Sequence, residues 1–145
     1  MYSKSSLTDN NIMKIQNKFI YNFIKCGIIG WCMECFWTGL LALFARDKTM
    51  SCKTSLWMFP IYGLAAFIAP VSKRLDKQNF LVRGGVYTIA IFMAEYLFGS
   101  ILNLWDACPW DYSKSKFHYK GIIRFDFIPI WFIVGLVYEK ILSKS

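Results

Sequence analysis

The chain has 145 residues, of which 56% are hydrophobic and 19% aromatic, and its formal net charge is +8. A soluble domain of this length cannot bury so much apolar surface, so the composition excludes an ordinary soluble fold and predicts an integral membrane protein. The positive charge is typical of juxtamembrane segments that face anionic lipid, and no basic soluble domain is evident that would indicate nucleic-acid binding. We therefore expect membrane lipid as a partner and no nucleic acid.

Four apolar blocks predict an all-α, polytopic fold with four transmembrane helices. The blocks cover residues 26–45, 56–71, 84–105 and 127–142. A membrane crossing needs about 20 apolar residues, so the first and third blocks are long enough. The second and fourth blocks are short, so their helices must cross the membrane without tilting, thin the bilayer locally or form partly re-entrant segments. We expect a single transmembrane domain over residues 26–142, preceded by a cytoplasmic N-terminal segment of residues 1–25.

The orientation is predicted from the positive charges. The first apolar block lacks a small-x-small cleavage site, so we expect its helix to be retained. With four crossings, the N-terminus, the second loop and the C-terminus share one side and carry ten Lys and Arg residues, against seven on the other side. The positive-inside rule therefore favours a multi-pass protein of the cell membrane with both termini in the cytoplasm.

The two long blocks each carry a stripe of small and polar side chains. Every fourth residue of the first block belongs to the first stripe: Cys26, Gly30, Glu34, Thr38 and Ala42. The residues of the third block that share one sector of about 100° form the second stripe: Gly84, Thr88, Glu95, Gly99, Asn103 and Asp106. Small residues let helices approach closely and polar residues avoid lipid, so we expect both stripes to face the bundle interior and each other.

Two acids lie near the middle of these helices, where an ionised carboxylate costs about 2.5 to 3.5 kcal/mol. One interpretation is that Glu34 and Glu95 are neutral and hydrogen-bond across helices to Thr38, Thr88, Asn103 or a tyrosine hydroxyl. The other, which we favour, is that these same residues form a binding site for a proton, a cation or an amine-bearing amphiphile.

An internal similarity accompanies the two acids. Aligning Glu34 with Glu95 sets ECFWTGLLALF over EYLFGSILNLW, and a Pro-Ile-aromatic helix follows each segment, in FPIYG and IPIWF. This pattern is compatible with two parallel two-helix repeats.

The segment after the third block is rich in aromatic residues, as in WDACPWDYS, and predicts an interfacial belt. The candidate interface residues, from this segment and from the ends of the helices, are Arg83, Trp110, Asp111, Tyr112, Arg124 and Asp126. Asp126 precedes Pro129 and is expected to cap the fourth helix, while Arg124 pairs with it or with a lipid phosphate.

Histidine and cysteine give weaker signals. His118 is the only histidine and has no evident partner, so we do not expect a general base there. Cys32 and Cys35 form one CxxC pair without a second, so we expect no metal site and interpret both as buried residues. Cys52 and Cys108 are predicted on the same side of the membrane, which would allow a disulfide. No cofactor is expected.

Five motifs in order resemble a known family: GWCMECFWTG, TSLWMFPIYGLAAFIAP, RGGVYTIAIFMAEYLFG, CPWDYS and KGIIRFDFIPIWFIVGL. They cover roughly residues 27–142 and are similar to the small membrane proteins catalogued as Putative ABC-transporter type IV, or CmpB-like, which include the animal transmembrane protein 229. The resemblance implies characteristic positions at Gly30, Trp31, Glu34, Pro60, Tyr62, Gly63, Arg83, Gly84, Glu95, Tyr96, Gly99, Trp110, Asp111, Tyr112, Ser113, Gly121 and Trp131. It also implies a permease-like role without a defined mechanism, and His118 stands where the family usually carries asparagine.

The preferred functional hypothesis is a membrane transport or binding subunit with an intramembrane carboxylate site, and the sequence favours a protein that is not an enzyme. No Gly-rich phosphate loop is evident and four helices make a thin pore wall, so transport would require a homo-oligomer or a partner transport subunit. One alternative is a membrane enzyme that acts on lipid, with Asp111 and Arg124 at the interface. The other is a scaffold subunit of a membrane complex.

Overall fold

The structure, a computed structural model, describes the backbone of residues 4–144 and the side chains from residue 8 onward. It is mostly helical. The helices in chain order are α1 (Lys4–Phe44), α2 (Met58–Gly63), α3 (Ile68–Arg74), α4 (Phe80–Asn103) and α5 (Ile128–Ser143). A 3-10 turn, Leu64–Phe67, joins α2 to α3, so that these three elements form one continuous right-handed segment over the second apolar block.

Two helical stretches, Thr8–Phe44 and Phe80–Asn103, are long and apolar enough to cross a membrane. They contain most of the first and third apolar blocks. The α2–α3 segment and α5 match the second and fourth blocks but are shorter, and α5, with 16 residues, is only about 24 Å long. Their crossing of the membrane stays a prediction.

Helix α1 begins much earlier than its apolar block. Residues 4–25 of the predicted N-terminal segment are helical, whereas residues 1–3 lie outside the described part of the chain. The side chains of residues 8–18 are all exposed, and packing against the rest of the protein begins at Phe19, whose ring lies 5.0 Å from that of Phe67. The N-terminal part of α1, residues 4–18, therefore projects about 22 Å beyond the bundle.

The helices pack as two pairs. Helix α1 lies along α2 and the 3-10 turn, α4 lies along α5, and α3 packs on α5 and so joins the two pairs. Glycines allow the closest approaches: a Cβ added at Gly30 would lie 2.1 Å from Cγ of Tyr62, and one added at Gly135 would lie 2.5 Å from Cβ of Tyr87. The chain therefore pairs each long helix with the shorter helix that follows it.

This pairing contradicts the expectation that the two polar stripes face each other. Over the described residues, α1 and α4 do not pack extensively on one another. The stripe of α1 faces α2, because Tyr62 occupies the space above Gly30. The stripe of α4 faces α5 at Gly84, which the ring of Phe132 covers, and faces the α4–α5 loop at Gly99, which Ile122 covers. The small residues thus receive bulky neighbours instead of a second small stripe.

The buried core lies where the helical segments meet, towards the end of the bundle at which α4 begins and α5 ends. Its members are Cys26, Ile68, Tyr87, Tyr138 and Leu142. The hydroxyl of Tyr138 donates to the carbonyl of Cys26 at 3.0 Å, which satisfies two polar groups in apolar surroundings.

The loop between α4 and α5 contains a short hairpin that the sequence did not predict. Strand β1 (His118–Tyr119) pairs antiparallel with β2 (Ile123–Arg124). Gly121 lies in the turn between them with φ at +70°, a conformation that glycine adopts at least cost.

A 3-10 turn, Phe125–Phe127, leads from β2 into α5, and the first turn of α5 has no side-chain cap. The expectation that Asp126 caps this helix is therefore wrong. Its carboxylate accepts from Arg124 instead, through Nε at 2.8 and 2.9 Å and through Nη2 at 2.7 Å. The predicted pairing of Arg124 with Asp126 is present, and both carboxylate oxygens are used in it.

Candidate functional site

Glu34 of α1 is half-buried and is contacted by the segment that follows α1. Its Oε2 accepts a hydrogen bond from the hydroxyl of Thr54 at 2.7 Å. Thr54 belongs to residues 50–55, which run back along α1 and which we call the strap. Glu34 therefore has a hydroxyl partner from a loop, and this partner is none of those predicted from the sequence, which were Thr38, Thr88, Asn103 or a tyrosine.

The strap is held on α1 by further hydrogen bonds on either side of Glu34. The indole N–H of Trp31 donates to the carbonyl of Ser55 at 3.0 Å. The backbone N–H of Lys53 donates to the hydroxyl of Thr38 at 3.0 Å, and that hydroxyl donates to the carbonyl of Glu34 at 2.9 Å. Thr38 is therefore engaged in fastening the strap rather than in contacting the carboxylate of Glu34.

Glu95 of α4 is buried, with 8% of its surface exposed, and its Oε2 has no hydrogen-bond partner among the described residues. It interacts with the indole N–H of Trp131 on α5, which is also buried without a hydrogen-bond partner among the described residues. The two groups interact electrostatically but do not meet hydrogen-bond geometry. A buried acceptor and a buried donor, each unsatisfied, thus lie side by side.

Two tyrosines connect the surroundings of the acids. Tyr62 of α2 interacts electrostatically with both Glu34 and Glu95. Tyr112 of the α4–α5 loop does the same: burial raises the pKa of its hydroxyl, Glu95 and then Glu34 raise it further, and Arg124 opposes them. Electrostatic interactions therefore link five side chains from α1, α2, α4, α5 and the loop, and we call them the polar cluster: Glu34, Tyr62, Glu95, Tyr112 and Trp131.

Glycines one turn from the two acids leave room for the side chains that pack nearby. Gly30, one turn before Glu34, leaves room for the ring of Tyr62. Gly99, one turn after Glu95, leaves room for the loop, since a Cβ there would lie 2.5 Å from Cγ2 of Ile122 and 3.0 Å from Cζ2 of Trp110. A glycine one turn from each acid thus leaves space on the helix surface for a bulky side chain.

The other candidate ligand-binding residues do not join the cluster by hydrogen bonds. Thr88 is buried, and its hydroxyl donates to the carbonyl of Gly84 on its own helix at 2.8 Å. Asn103 is exposed at the end of α4.

The candidate interface residues divide between the two ends of the bundle. Arg83, near the start of α4, donates from Nε to Glu139 of α5 at 3.1 Å, and Tyr87 donates to the same carboxylate. Arg83 is therefore at the opposite end of α4 from Asp111 and Arg124, and these three residues do not form one interface.

Asp111 and its neighbours fold the α4–α5 loop. Its Oδ1 accepts from the backbone N–H of Ser113 at 2.9 Å and its Oδ2 from the hydroxyl of Ser113 at 2.9 Å, and these bonds lower the pKa of Asp111. The indole N–H of Trp110 donates to the carbonyl of Ile122 at 3.0 Å, and the N–H of Tyr112 donates to the carbonyl of Gly121 at 2.8 Å. These bonds fix the loop around Tyr112, whose ring packs on that of Phe127 with centroids 5.6 Å apart.

His118 and the cysteines have structural surroundings. Nδ1 of His118 accepts from the backbone N–H of Gly121 at 2.9 Å, within the hairpin.

All five cysteines are free thiols. Cys32 is exposed and Cys35 is half-buried, so the interpretation of these two as buried residues is wrong. The thiols of Cys52 and Cys35 interact electrostatically, whereas the thiol of Cys108 donates to the carbonyl of Trp110 at 3.3 Å. Over residues 4–144, no group of three or more His, Cys, Asp or Glu side chains could hold a metal ion.

The comparison with known families covers this site. Residues 21–145 match the sequence profile of a family described as Putative ABC-transporter type IV, and this range includes every residue of the polar cluster. No solved structure matches the chain. The match and the two helices that could cross a membrane support a membrane protein with a transport-related role. Because the match extends over most of the chain, the protein belongs to the Putative ABC-transporter type IV family.

Proposed function

We propose that the protein is a transport or binding subunit with four membrane crossings and cytoplasmic termini, in which the polar cluster holds a proton, a cation or an amine-bearing amphiphile. The observation that carries the proposal is Glu95, a buried carboxylate without a hydrogen-bond partner in the described structure. An ionised acid in this position costs about 2.5 to 3.5 kcal/mol on insertion scales, so its charge requires a compensating proton or cation.

The surroundings of the acids favour a positively charged ligand over simple attachment between helices. Glu34 has one hydroxyl partner, Thr54, and Glu95 has none of standard geometry. The hydroxyls of Tyr62 and Tyr112 interact electrostatically with both acids and can bind a ligand as neutral donors or acceptors. Two carboxylates with neutral neighbours attract a cation, and the aromatic rings add favourable contact for an ammonium group.

The alternative of a lipid-modifying enzyme has weaker support. Both oxygens of Asp111 accept hydrogen bonds from Ser113, and Arg124 forms a two-oxygen pair with Asp126. Both residues thus have charged or polar partners within the loop, which favours a structural role for them. A transport function would still require a second copy or a partner, such as a separate ATPase subunit, because four helices make only a thin wall for a pore.

The experiment uses dicyclohexylcarbodiimide, an apolar reagent that modifies membrane carboxyl groups, on the full chain in detergent. We expect Glu34 and Glu95 to be labelled and octylammonium to protect both, while uncharged octanol does not. Mass spectrometry of the digested protein measures labelling at each acid. Glu34→Gln and Glu95→Gln should fold and lose protection at the remaining acid, because the two acids act on one ligand.

The control is Asp106→Asn, which removes an exposed acid in the turn after α4 and should leave protection unchanged. Labelling is also measured with added KCl and at several pH values. Labelling of the acids that does not change with octylammonium, KCl or pH would contradict a cation site and leave attachment between helices as the role of the acids. A lipid profile that Asp111→Asn alone alters would favour the enzyme instead.

A further inference from the structure

The strap carries a feature that the polar cluster does not use. Cys52, in the strap, lies against α1 near Cys35, the residue that follows Glu34: Cβ of Cys52 is 3.9 Å from the position of a Cβ added at Gly39, one turn after Cys35, and the two thiols interact electrostatically. Cys52 is exposed and Cys35 is half-buried, and both are free.

Independent contacts hold Cys52 against this face of α1. The next residue, Lys53, donates from its backbone N–H to Thr38 at 3.0 Å, and the one after it, Thr54, donates to Glu34 at 2.7 Å. On the other side, a Cβ added at Gly39, one turn beyond Cys35, would lie 3.1 Å from the carbonyl oxygen of Met50 and 3.9 Å from Cβ of Cys52. The backbone on both sides of Cys52 is therefore fixed to the turns of α1 that flank Cys35.

We propose that Cys35 and Cys52 form a reversible disulfide that fastens the strap to α1. The oxidant is a small or protein disulfide, RSSR. The thiolate of the exposed Cys52 attacks RSSR, giving a mixed disulfide and one RS⁻, and the thiolate of Cys35 then attacks the Cys52 sulfur and releases the second RS⁻. The two protons of the cysteine thiols go to the released thiolates, so RSSR is reduced to two RSH.

The disulfide would regulate access to the carboxylate site, and this consequence rests on the proposed function. Thr54, two residues after Cys52, is the partner of Glu34. When the thiols are reduced, only hydrogen bonds hold the strap, and it can separate from α1. When they are oxidised, a covalent bond keeps Thr54 on Glu34 and closes this approach to the cluster.

The first experiment identifies the bond. The full chain in detergent is treated with oxidised glutathione, free thiols are blocked with N-ethylmaleimide, and tryptic peptides are analysed by mass spectrometry. We expect a loss of two of the five free thiols and a linked pair of peptides, residues 26–46 joined to residues 49–53. Cys32→Ser is the matched control and should retain this linkage, whereas Cys35→Ser and Cys52→Ser should each abolish it.

Three results would overturn the disulfide: no linked pair in the folded wild-type protein, a linkage of Cys52 to Cys108, or a linkage that persists in Cys35→Ser. The second experiment compares carbodiimide labelling of the oxidised and reduced proteins. We expect labelling of Glu34 to be lost on oxidation while labelling of Glu95 stays the same, and equal labelling of Glu34 in both forms would overturn the regulation. Protection by octylammonium is measured on the reduced protein, so failure of the carboxylate site is detected separately.

Discussion

Glu34 and Glu95 occupy aligned positions in the sequence but have different partners. Glu34 is contacted by Thr54 of the strap, whereas Glu95 faces Trp131. Tyr62 and Trp131 each stand two residues after the proline of a Pro-Ile-aromatic motif, so each half of the chain supplies one aromatic side chain to the cluster. This correspondence is what two-helix repeats require, and the repeat stays a prediction.

The sequence places both acids on polar stripes because helical periodicity alone decides which residues share a face. It could not predict Thr54 or Trp131 as neighbours. Thr54 lies in a loop, whose path is not periodic, and the height of Trp131 beside Glu95 depends on how α5 packs against α4. Two expectations about the flanking charges differ from the structure: Asp126 pairs with Arg124 and does not cap α5, and Arg83 lies at the opposite end of α4 from Asp111 and Arg124.

The pair of Arg124 and Asp126 gives a prediction on pH. The hydrogen bond from Arg124 lowers the pKa of Asp126 below its ordinary value near 3.9. A lowered folded-state pKa means that the stabilisation is fully present above the ordinary pKa and is lost as pH falls through the lowered pKa. We expect Asp126→Asn to lower the unfolding temperature in detergent at pH 7 and to approach the wild type only when the pH falls well below the ordinary pKa.

The control for this effect is Arg124→Gln, which removes the same pair and should show the same convergence at low pH. A difference between Asp126→Asn and the wild type that stays constant from pH 7 to pH 2 would contradict the assignment.

At the scale of elements, apolar length predicted the four helical segments to within a few residues, except at the start of α1. No Pro or Gly interrupts residues 4–26, so nothing in that segment ends the helix, although its polar composition gave no membrane signal. The hairpin and the 3-10 turns were missed because two-residue strands are too short for periodicity to detect.

The pairing of α1 with α2 gives a prediction on glycine. A Cβ at Gly30 would lie 2.1 and 2.3 Å from Cγ and Cβ of Tyr62, atoms that cannot move without shifting the backbone of α2. We expect Gly30→Ala to lower the free energy of unfolding by about 1 to 3 kcal/mol, as overpacking does. Thermal unfolding in detergent measures this loss.

Gly85 is the matched control, because nothing lies within 4 Å of a Cβ added there. Gly85→Ala should be neutral or stabilising by up to about 1 kcal/mol, since alanine favours the helix. Equal destabilisation by both substitutions would show that helix propensity, and not the contact with Tyr62, decides the outcome.

At the scale of the whole molecule, the two packed pairs and the family membership agree with a membrane protein that has a transport-related role. Composition was sufficient to predict the class, because apolar content beyond what a small domain can bury requires lipid around it. It could not predict how the helices pair, since all four segments are apolar and compete for the same neighbours.

Four crossings predict that the loops alternate between the two sides of the membrane. In a variant whose native cysteines are all serine, we expect Lys77→Cys and Lys144→Cys to react with a membrane-impermeant maleimide from the cytoplasmic side. Lys48→Cys and Lys114→Cys should react from the other side. Labelling in right-side-out and inside-out vesicles measures this, and Thr8→Cys serves as the reference for the N-terminal side.

Reaction of Lys48→Cys and Lys77→Cys from the same side would mean that the α2–α3 segment enters and leaves the membrane on one side. Reaction of Lys114→Cys and Lys144→Cys from the same side would mean the same for α5.

The exposed N-terminal part of α1 belongs to the same continuous helix as Glu34. Gly27 and Gly30 are the first glycines of α1, where the helix could bend most easily. Phe59 packs over Gly27 and Tyr62 packs over Gly30. We therefore expect residues 8–34 to behave as one rigid helix, so that anything bound to the exposed residues 8–18 is mechanically continuous with the turn that carries Glu34.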